Sequence, residues 1–162
     1  MTPADLDAVG ALQQRCYGVS YLESREAFAA KLDVTAGLGC CWLARDAGEP
    51  VAYAVSLPAC EATLPALDAP HCERPALPTL LYLHDMAVAP EARSLGLASR
   101  LLAQLRLSAQ ALALPRLGLV AVQGSVPYWQ RQGFAEPPTL PALLAAKLAT
   151  FGPDARFMVS DQ

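Results

Sequence analysis

One segment of the chain combines a positive charge, small residues and a predicted turn between a strand and a helix. Arg93, Gly96 and Ala98 follow an apolar run that ends at Val88, in the order R-x-x-G-x-A. The first N–H groups of a helix lack intrahelical partners, and together with the helix dipole they attract anions. Small residues let a phosphate approach the backbone, and Arg93 adds a fixed positive charge. The segment therefore predicts a site for a phosphorylated ligand.

Two other phosphate-binding motifs are excluded. No Lys-Ser or Lys-Thr follows Gly96, so the pattern G-x-x-x-x-G-K-[ST] is absent, and no G-x-G-x-x-G follows a predicted strand. An ordinary strand-to-helix turn with a solvated Arg93 is the alternative interpretation of this segment.

A second ordered segment follows the next predicted strand. The aromatic pair Tyr128-Trp129 is followed by Gln-Arg-Gln and then by Gly133-Phe134, and Ser125 stands at the expected helix N-cap. The two segments together resemble the two signatures of the GNAT acetyltransferase superfamily. The first signature, V-x-P-x-x-R-x-x-G-x-A, stands here as Val88, Pro90, Arg93, Gly96 and Ala98.

This resemblance covers essentially the whole chain and implies a single GNAT acetyltransferase domain over residues 1–162. The implied α/β fold is a mixed central sheet flanked by helices, in which two parallel strands splay apart. Acetyl-coenzyme A is the implied co-substrate, with its diphosphate on the first loop and its pantetheine arm between the splayed strands. The residues expected to bind it are Met86, Ala87, Val88, Arg93, Ser94, Leu95, Gly96, Leu97, Ala98, Gln123, Ser125 and Trp129. For Gln123, a solvated loop position is the alternative.

Within the superfamily, the layout is similar to that of the arylalkylamine N-acetyltransferase branch. That branch has a long loop before the central strand and a histidine four residues before the Val of V-x-P. His84 stands at this position, whereas Tyr82 replaces a second histidine of the branch.

Acetyl transfer to an amine needs a base for the ammonium proton and benefits from an acid for the leaving thiolate. An unperturbed histidine titrates near neutrality, so His84 is the expected base, and a structural histidine is the alternative. Strand alternation predicts Tyr82, His84 and Met86 on one face of the sheet. On the opposite face, Asp85 is expected to bind the substrate ammonium, orient His84 or pair with an arginine.

The general acid is less defined. Trp129 occupies the position of the superfamily's usual tyrosine, and an indole is not a proton source. Tyr128 is adjacent but points about 100° away around the helix. Tyr128, Ser125 or a water molecule are the candidates, and unassisted departure of the thiolate is the other possibility.

Hydrophobic periodicity and capping residues predict the elements that position these groups. We expect helices over about 3–17, 24–36, 97–112, 126–132 and 140–149, and strands over 40–45, 51–57, 80–88, 117–122 and 156–160. A proline-rich stretch, 58–78, is expected to be a surface loop that covers the substrate site or a plain insertion.

Composition limits the function classes. The chain has 162 residues, is 54% hydrophobic and carries a net charge of −3, without a Lys/Arg cluster for nucleic acid. No apolar run is long enough for a membrane span, and the acidic start does not resemble a signal peptide. The five cysteines lack C-x-x-C spacing, which favours a reducing cytoplasm. We assign no metal site to His71-Cys72-Glu73, because zinc-ligand spacing is absent.

The expected function is transfer of an acetyl group to a primary amine of a small molecule, an aryl- or alkylamine or a polyamine. A protein or peptide N-acetyltransferase is one alternative, and a regulatory module that binds acyl-coenzyme A without turnover is another. The protein is expected to be a monomer or a homodimer.

Overall fold

The computed structural model describes residues 1–161, leaving aside the side chains of Ser20 and Thr63. Within this part of the chain the α-helices are α1 (Leu6–Cys16), α2 (Arg25–Val34), α3 (Leu97–Ala111), α4 (Val126–Arg131) and α5 (Ala142–Leu148). The strands are β1 (Trp42–Asp46), β2 (Glu49–Ala59), β3 (Leu80–Val88), β4 (Arg116–Ala121) and β5 (Arg156–Asp161). The predicted elements are confirmed, and they differ from the observed ones mainly at their ends.

The strands form one five-stranded sheet in the order β1-β2-β3-β4-β5. β3 and β4 are parallel, and the other neighbouring strands are antiparallel. α1 and α2 pack on β2, and α3 packs on β2, β3 and β4. The mixed sheet flanked by helices that the sequence predicts is therefore confirmed.

Local sequence explains the helices next to the site. α1 buries Leu6, Val9 and Leu12 at helical spacing, so one face of the helix joins the core. α2 begins where the Ser24 hydroxyl accepts the N–H of Ala27 at 3.2 Å, as an N-cap residue does. The two helices fix both ends of their connecting segment, residues 17–24, against the sheet.

The parallel pair separates halfway along β3. Pairing between β3 and β4 runs only from Leu81 opposite Leu117 to Leu83 opposite Leu119. β3 continues to Val88 with β2 as its partner. Beyond Leu83 the described residues pair β3 with no strand on the β4 side, which confirms the predicted splay.

A β-bulge lies at the point of separation. Val55 of β2 lies opposite Asp85, but the next residue, Ser56, lies opposite Leu83, so His84 is the extra residue. The prediction that His84 and Asp85 point to opposite faces is wrong, because a bulge interrupts the alternation of side chains. Both side chains instead contact the 17–24 segment.

The proline-rich segment between β2 and β3 packs over the start of α2. The N–H of Asp68 donates to Glu23 Oε2 at 2.8 Å, and Asp68 Oδ1 accepts the N–H of Ser24 at 2.7 Å. Lys147 of α5 donates to the carbonyl of Leu64, which is buried. This segment therefore covers the 17–24 segment, and its role as a cover of the substrate site stays a prediction. None of the helices in the described part of the chain has both the length and the hydrophobicity to cross a membrane.

Candidate active site

The splay between β3 and β4 opens a cavity of about 270 Å³. Its walls come from β3, the end of β4, the first turn of α3, α4 and Tyr17. The sequence-predicted site residues that line it are His84, Asp85, Met86, Val88, Ala98, Gln123, Ser125, Tyr128 and Trp129. The structure thus brings all three predicted catalytic residues to one cavity.

The other predicted cofactor residues lie outside this cavity. Ala87 is 4% exposed and pairs with Tyr53 of β2, so its side chain packs in the core. Leu97 lines a separate cavity between β1 and α3. Arg93, Ser94, Leu95 and Gly96 are exposed on the segment that leads into Ala98. In this segment, the groups predicted to contact the ligand are the backbone N–H groups and the charged side chain of Arg93.

The loop before α3 has the geometry expected of an anion site. Gly96 adopts φ 68° at the helix N-cap, a left-handed conformation that glycine takes without strain. A Cβ at this position would meet no atom within 4 Å, so the space above the turn is open. The N–H of Arg100 makes the first helical bond, to the carbonyl of Gly96. The three preceding N–H groups have no intrahelical acceptor.

The turn after β4 and the helix α4 that follows it place the side chains of Gln123, Tyr128 and Trp129 at the cavity. Gln123 adopts φ 53° and Gly124 adopts φ 71°, which reverses the chain before α4. Trp129 packs edge-on against Phe134 with ring centroids 5.4 Å apart. The hydroxyl of Tyr128 is buried without a partner among the described residues, and burial raises the pKa of Tyr128. A protonated phenol therefore lines the cavity next to the indole.

His84 belongs to a buried charged cluster. Its Nε2 lies 2.7 Å from Glu23 Oε1, and Lys31 Nζ lies 2.9 Å from Glu23 Oε2. Burial opposes ionisation of Glu23, but the neighbouring His84 and Lys31 outweigh it and lower the pKa of Glu23 to about 2. Glu23 is therefore an ionised acceptor for the Nε2–H of the histidine.

The second ring nitrogen of His84 has a different environment. Nδ1 is buried and has no hydrogen-bond partner within the described residues. When Nε2 donates to a carboxylate, Nδ1 of the neutral ring keeps its lone pair. A smaller cavity, about 50 Å³, lies on the Glu23 side of the ring. Both cavities share Tyr17, His84, Asp85, Val120 and Val122, so the histidine lies between them.

Asp85 has tyrosines as partners. Tyr17 OH lies 2.7 Å from Oδ1, and Tyr53 OH lies 2.5 Å from Oδ2. Burial raises the pKa of Asp85, although these hydrogen bonds and His84 act in the opposite direction. Of the expected roles, pairing with an arginine is not observed within the described part of the chain.

Family comparison agrees with this geometry. Residues 6–134 match the model of the Acetyltransferase (GNAT) family, which is most of the chain. The chain belongs to the GNAT family. The match includes the loop before α3, the splayed strands and the turn into α4. No curated protein sequence matches the chain.

Solved GNAT structures share the fold at low sequence identity. The GphF GNAT-like decarboxylase in complex with isobutyryl-CoA is 19% identical, with a TM-score of 0.72 over 99% of this chain and 96% of that one. The loading GNATL domain of CurA from Lyngbya majuscula is 15% identical, with a TM-score of 0.77 over 99% and 94%. The ribosomal-protein-S18-alanine N-acetyltransferase from Escherichia coli is 17% identical, with a TM-score of 0.67 over 99% and 90%. These likenesses establish the GNAT fold and leave the acceptor open.

Two residues of the candidate site, Tyr17 and Glu23, were not indicated by the sequence motifs. Both act on β3 side chains more than 60 positions away along the chain, at separations of 68 and 61 residues. One observation does point to Glu23. Lys31 lies on the buried face of α2 beside Phe28 and Leu32, and a buried lysine needs an acidic partner.

We expect Glu23→Gln to destabilise the protein by about 3 kcal/mol at neutral pH, because it leaves the Lys31 charge buried and unpaired. The pKa of Glu23 falls from 4.5 to about 2 on folding, so its ionised form stabilises the native state above pH 4.5. This contribution decreases as the pH falls from 4.5 toward 2. Urea unfolding across this range measures it.

Glu26→Gln is the matched control, because Glu26 is an exposed glutamate three residues after Glu23, in the first turn of α2. Its effect on the free energy of unfolding should stay within about 0.5 kcal/mol. Equal effects of the two substitutions would contradict a buried ion pair at Glu23.

Proposed function

We propose that this GNAT domain, residues 1–162, transfers an acetyl group from acetyl-coenzyme A to a primary amine of a small molecule. His84 is the general base in this proposal, and Glu23 is the residue that orients it. The observation that carries the proposal is the buried His84 ring, which lines two cavities, has Nε2 on a carboxylate and leaves Nδ1 without a partner among the described residues.

The cavity at the splay suits acyl-coenzyme A. β3 has no β4 partner beyond Leu83, so strand backbone faces the cavity where an extended pantetheine arm would lie. The open turn at Gly96 and the free N–H groups of the first turn of α3 suit a diphosphate. The bound thioester supplies an activated acyl group. The N–H of Met86 or Ala87 is the proposed donor to the developing oxyanion.

The proton path follows from the two cavities. Only a neutral amine attacks a carbonyl, so the acceptor must lose an ammonium proton before or during attack. In our proposal this proton goes to Nδ1 of His84. The ionised Glu23 then stabilises the imidazolium through Nε2, as a carboxylate does for a catalytic histidine.

Tyr128 is the proposed general acid for the thiolate. We expect Tyr128→Phe to lower kcat about 10- to 100-fold, because a phenyl ring fills the same space without a proton. The affinity for coenzyme A, measured by calorimetry, should stay within about threefold of the wild-type value, since the Tyr128 hydroxyl has no hydrogen-bond partner among the described residues. Unchanged kcat would instead favour a water molecule or unassisted departure of the thiolate.

A small acceptor is favoured over a protein by the small volume of the second cavity and by the segment that covers it. Its volume is about 50 Å³, and Leu67 of the covering segment is part of its wall. Asp68 ties this segment to Glu23 and Ser24. Tyr21 and Phe151 add aromatic surface, which suits the amine-bearing end of an arylalkylamine. None of the three solved relatives described above is an arylalkylamine acetyltransferase by name, so this finer assignment is part of the proposal.

The experiment is a thiol-release assay with acetyl-coenzyme A and three amine classes: arylalkylamines, polyamines, and peptides with a free α-amine. We expect release with one of the small amines, with an N-acetylated product in mass spectrometry. Turnover of the peptides alone would favour the protein N-acetyltransferase alternative. Binding of coenzyme A without thiol release above background would overturn the enzyme assignment and favour a regulatory module.

One part of the assay tests for the activity that the name of a solved relative gives. GphF is a GNAT-like decarboxylase by its name, and CurA's domain is a loading domain. A dicarboxylic acyl-coenzyme A is therefore added without amine, and carbon dioxide is measured. Carbon dioxide release that exceeds the amine reaction would contradict the proposal.

A further inference from the structure

The hydroxyl of Tyr17 has more acceptors than it has protons. It lies 2.7 Å from Asp85 Oδ1 and also 2.7 Å from the main-chain oxygen of Met86. On the other side of the carboxyl group, Tyr53 OH lies 2.5 Å from Asp85 Oδ2. Three short contacts therefore join Tyr53, Asp85, Tyr17 and the backbone of β3 in one chain.

Counting protons distinguishes the two states of Asp85. Each phenol has one proton, and a carbonyl oxygen has none. If Asp85 is ionised, the Tyr17 proton serves either the carboxylate or the Met86 carbonyl, and one 2.7 Å contact joins two acceptors. If Oδ1 carries a proton, Tyr53 donates to Oδ2, Asp85 donates to Tyr17, and Tyr17 donates to Met86. Every contact then contains one proton.

The surroundings of Asp85 agree with a neutral carboxyl group. The groups that face it are Tyr17 at the end of α1, Tyr53 on β2 and its neighbour His84, and Glu23 and Cys16 also interact with it electrostatically. None of the described lysines or arginines pairs with it. A buried carboxylate without a cationic partner is costly, and burial raises the pKa of Asp85 accordingly.

We propose that Asp85 is a neutral carboxylic acid in the resting protein and, through Tyr17, positions the Met86 carbonyl at the splay. Asp85 and Tyr17 are then positioning residues: Tyr17 holds the peptide group of Met86 at the point where β3 has lost its β4 partner. Asp85 is neither a base nor an ammonium ligand. The catalytic part of this inference rests on the proposed acyl transfer, whereas the protonation state does not.

Infrared spectroscopy tests the proton directly. We expect the wild-type protein at pH 7 to show the C=O stretch of a protonated carboxyl group, and Asp85→Asn to lack it. Absence of this band from the wild-type spectrum, or its persistence in the variant, would overturn the proposal. The test needs no acceptor amine, so its outcome is independent of whether the proposed function holds.

Unfolding at different pH values gives a second test. Because folding raises the pKa of Asp85, the folded protein keeps a proton that the unfolded chain releases above its ordinary value of 3.8. Wild-type stability therefore falls as the pH rises from this value toward the raised folded pKa. Asp85→Asn has no titrating group at this position, so it does not lose this stability. The urea midpoint of the variant minus that of the wild type should therefore increase as the pH rises. A difference that instead increases as the pH falls would overturn the proposal.

Rescue by the isosteric amide tests the positioning role. Asp85→Ala should lower kcat/KM for the amine about 100-fold, because Tyr17 loses its donor and the Met86 contact is no longer fixed. The kcat/KM of Asp85→Asn should be at least about tenfold higher than that of Asp85→Ala, since the amide N–H₂ donates to Tyr17 and its oxygen accepts from Tyr53. Equal loss in the two variants would show that a carboxylate is required and would contradict the inference.

Discussion

Replacing His84 with Gln should lower kcat/KM for the amine about 10²- to 10³-fold at neutral pH, the range of a lost general base. Gln keeps a polar side chain of similar length but cannot accept the ammonium proton. Nδ1 of His84 has no partner in the described part of the chain, and the amide N–H₂ of Gln can donate to Glu23 in place of Nε2. The expected loss therefore reports proton transfer.

The pH dependence separates this role from a structural one. At higher pH more of the amine is already neutral, so the deficit of the variant should shrink as the pH rises. Coenzyme A affinity, measured by calorimetry, serves as the control and should stay within about threefold of the wild-type value. A deficit that is constant between about pH 6 and 9 would remove His84 from the proton path.

The second large effect is expected at the phosphate loop. Gly96→Asp should weaken binding of coenzyme A by about 100-fold, because a carboxylate would stand where the diphosphate meets the first N–H groups of α3. Space does not prevent the substitution, since a Cβ at Gly96 meets no atom within 4 Å. Direct titration of the cofactor measures the change.

Gly96→Asn is the matched control for this variant. Asn and Asp have the same shape, and both tolerate the left-handed conformation that Gly96 adopts at φ 68°. The two variants therefore share any backbone strain and differ in charge. Binding that is equally strong in both would place the diphosphate elsewhere, and the difference should decrease at high salt.

The local elements of the site were predictable because their causes are local. The turn at Gly96 and the short helix after Ser125 follow from capping residues and glycine positions. The splay followed from a family resemblance carried by two spaced motifs. In both cases the determining residues lie close together in the sequence.

Distant contacts could not be predicted in the same way. The bulge at His84 depends on the register between β2 and β3, and one extra residue changes which face a side chain occupies. Alternation alone therefore placed Asp85 on the wrong side relative to His84. Glu23 and Tyr17 reach β3 from the 17–24 segment, whose path depends on how α1 and α2 pack. Only Lys31, a charge on an apolar helix face, gave an indication of a buried partner.

The central claim is that the gap between β3 and β4 holds the acyl thioester beside His84. A crystal structure with acetyl-coenzyme A bound tests it most directly. We expect the diphosphate on the N–H groups of residues 94–98, the pantetheine arm along β3, and the thioester between Met86 and Tyr128. A cofactor bound at another face, or a gap filled by side chains in the presence of saturating cofactor, would contradict it.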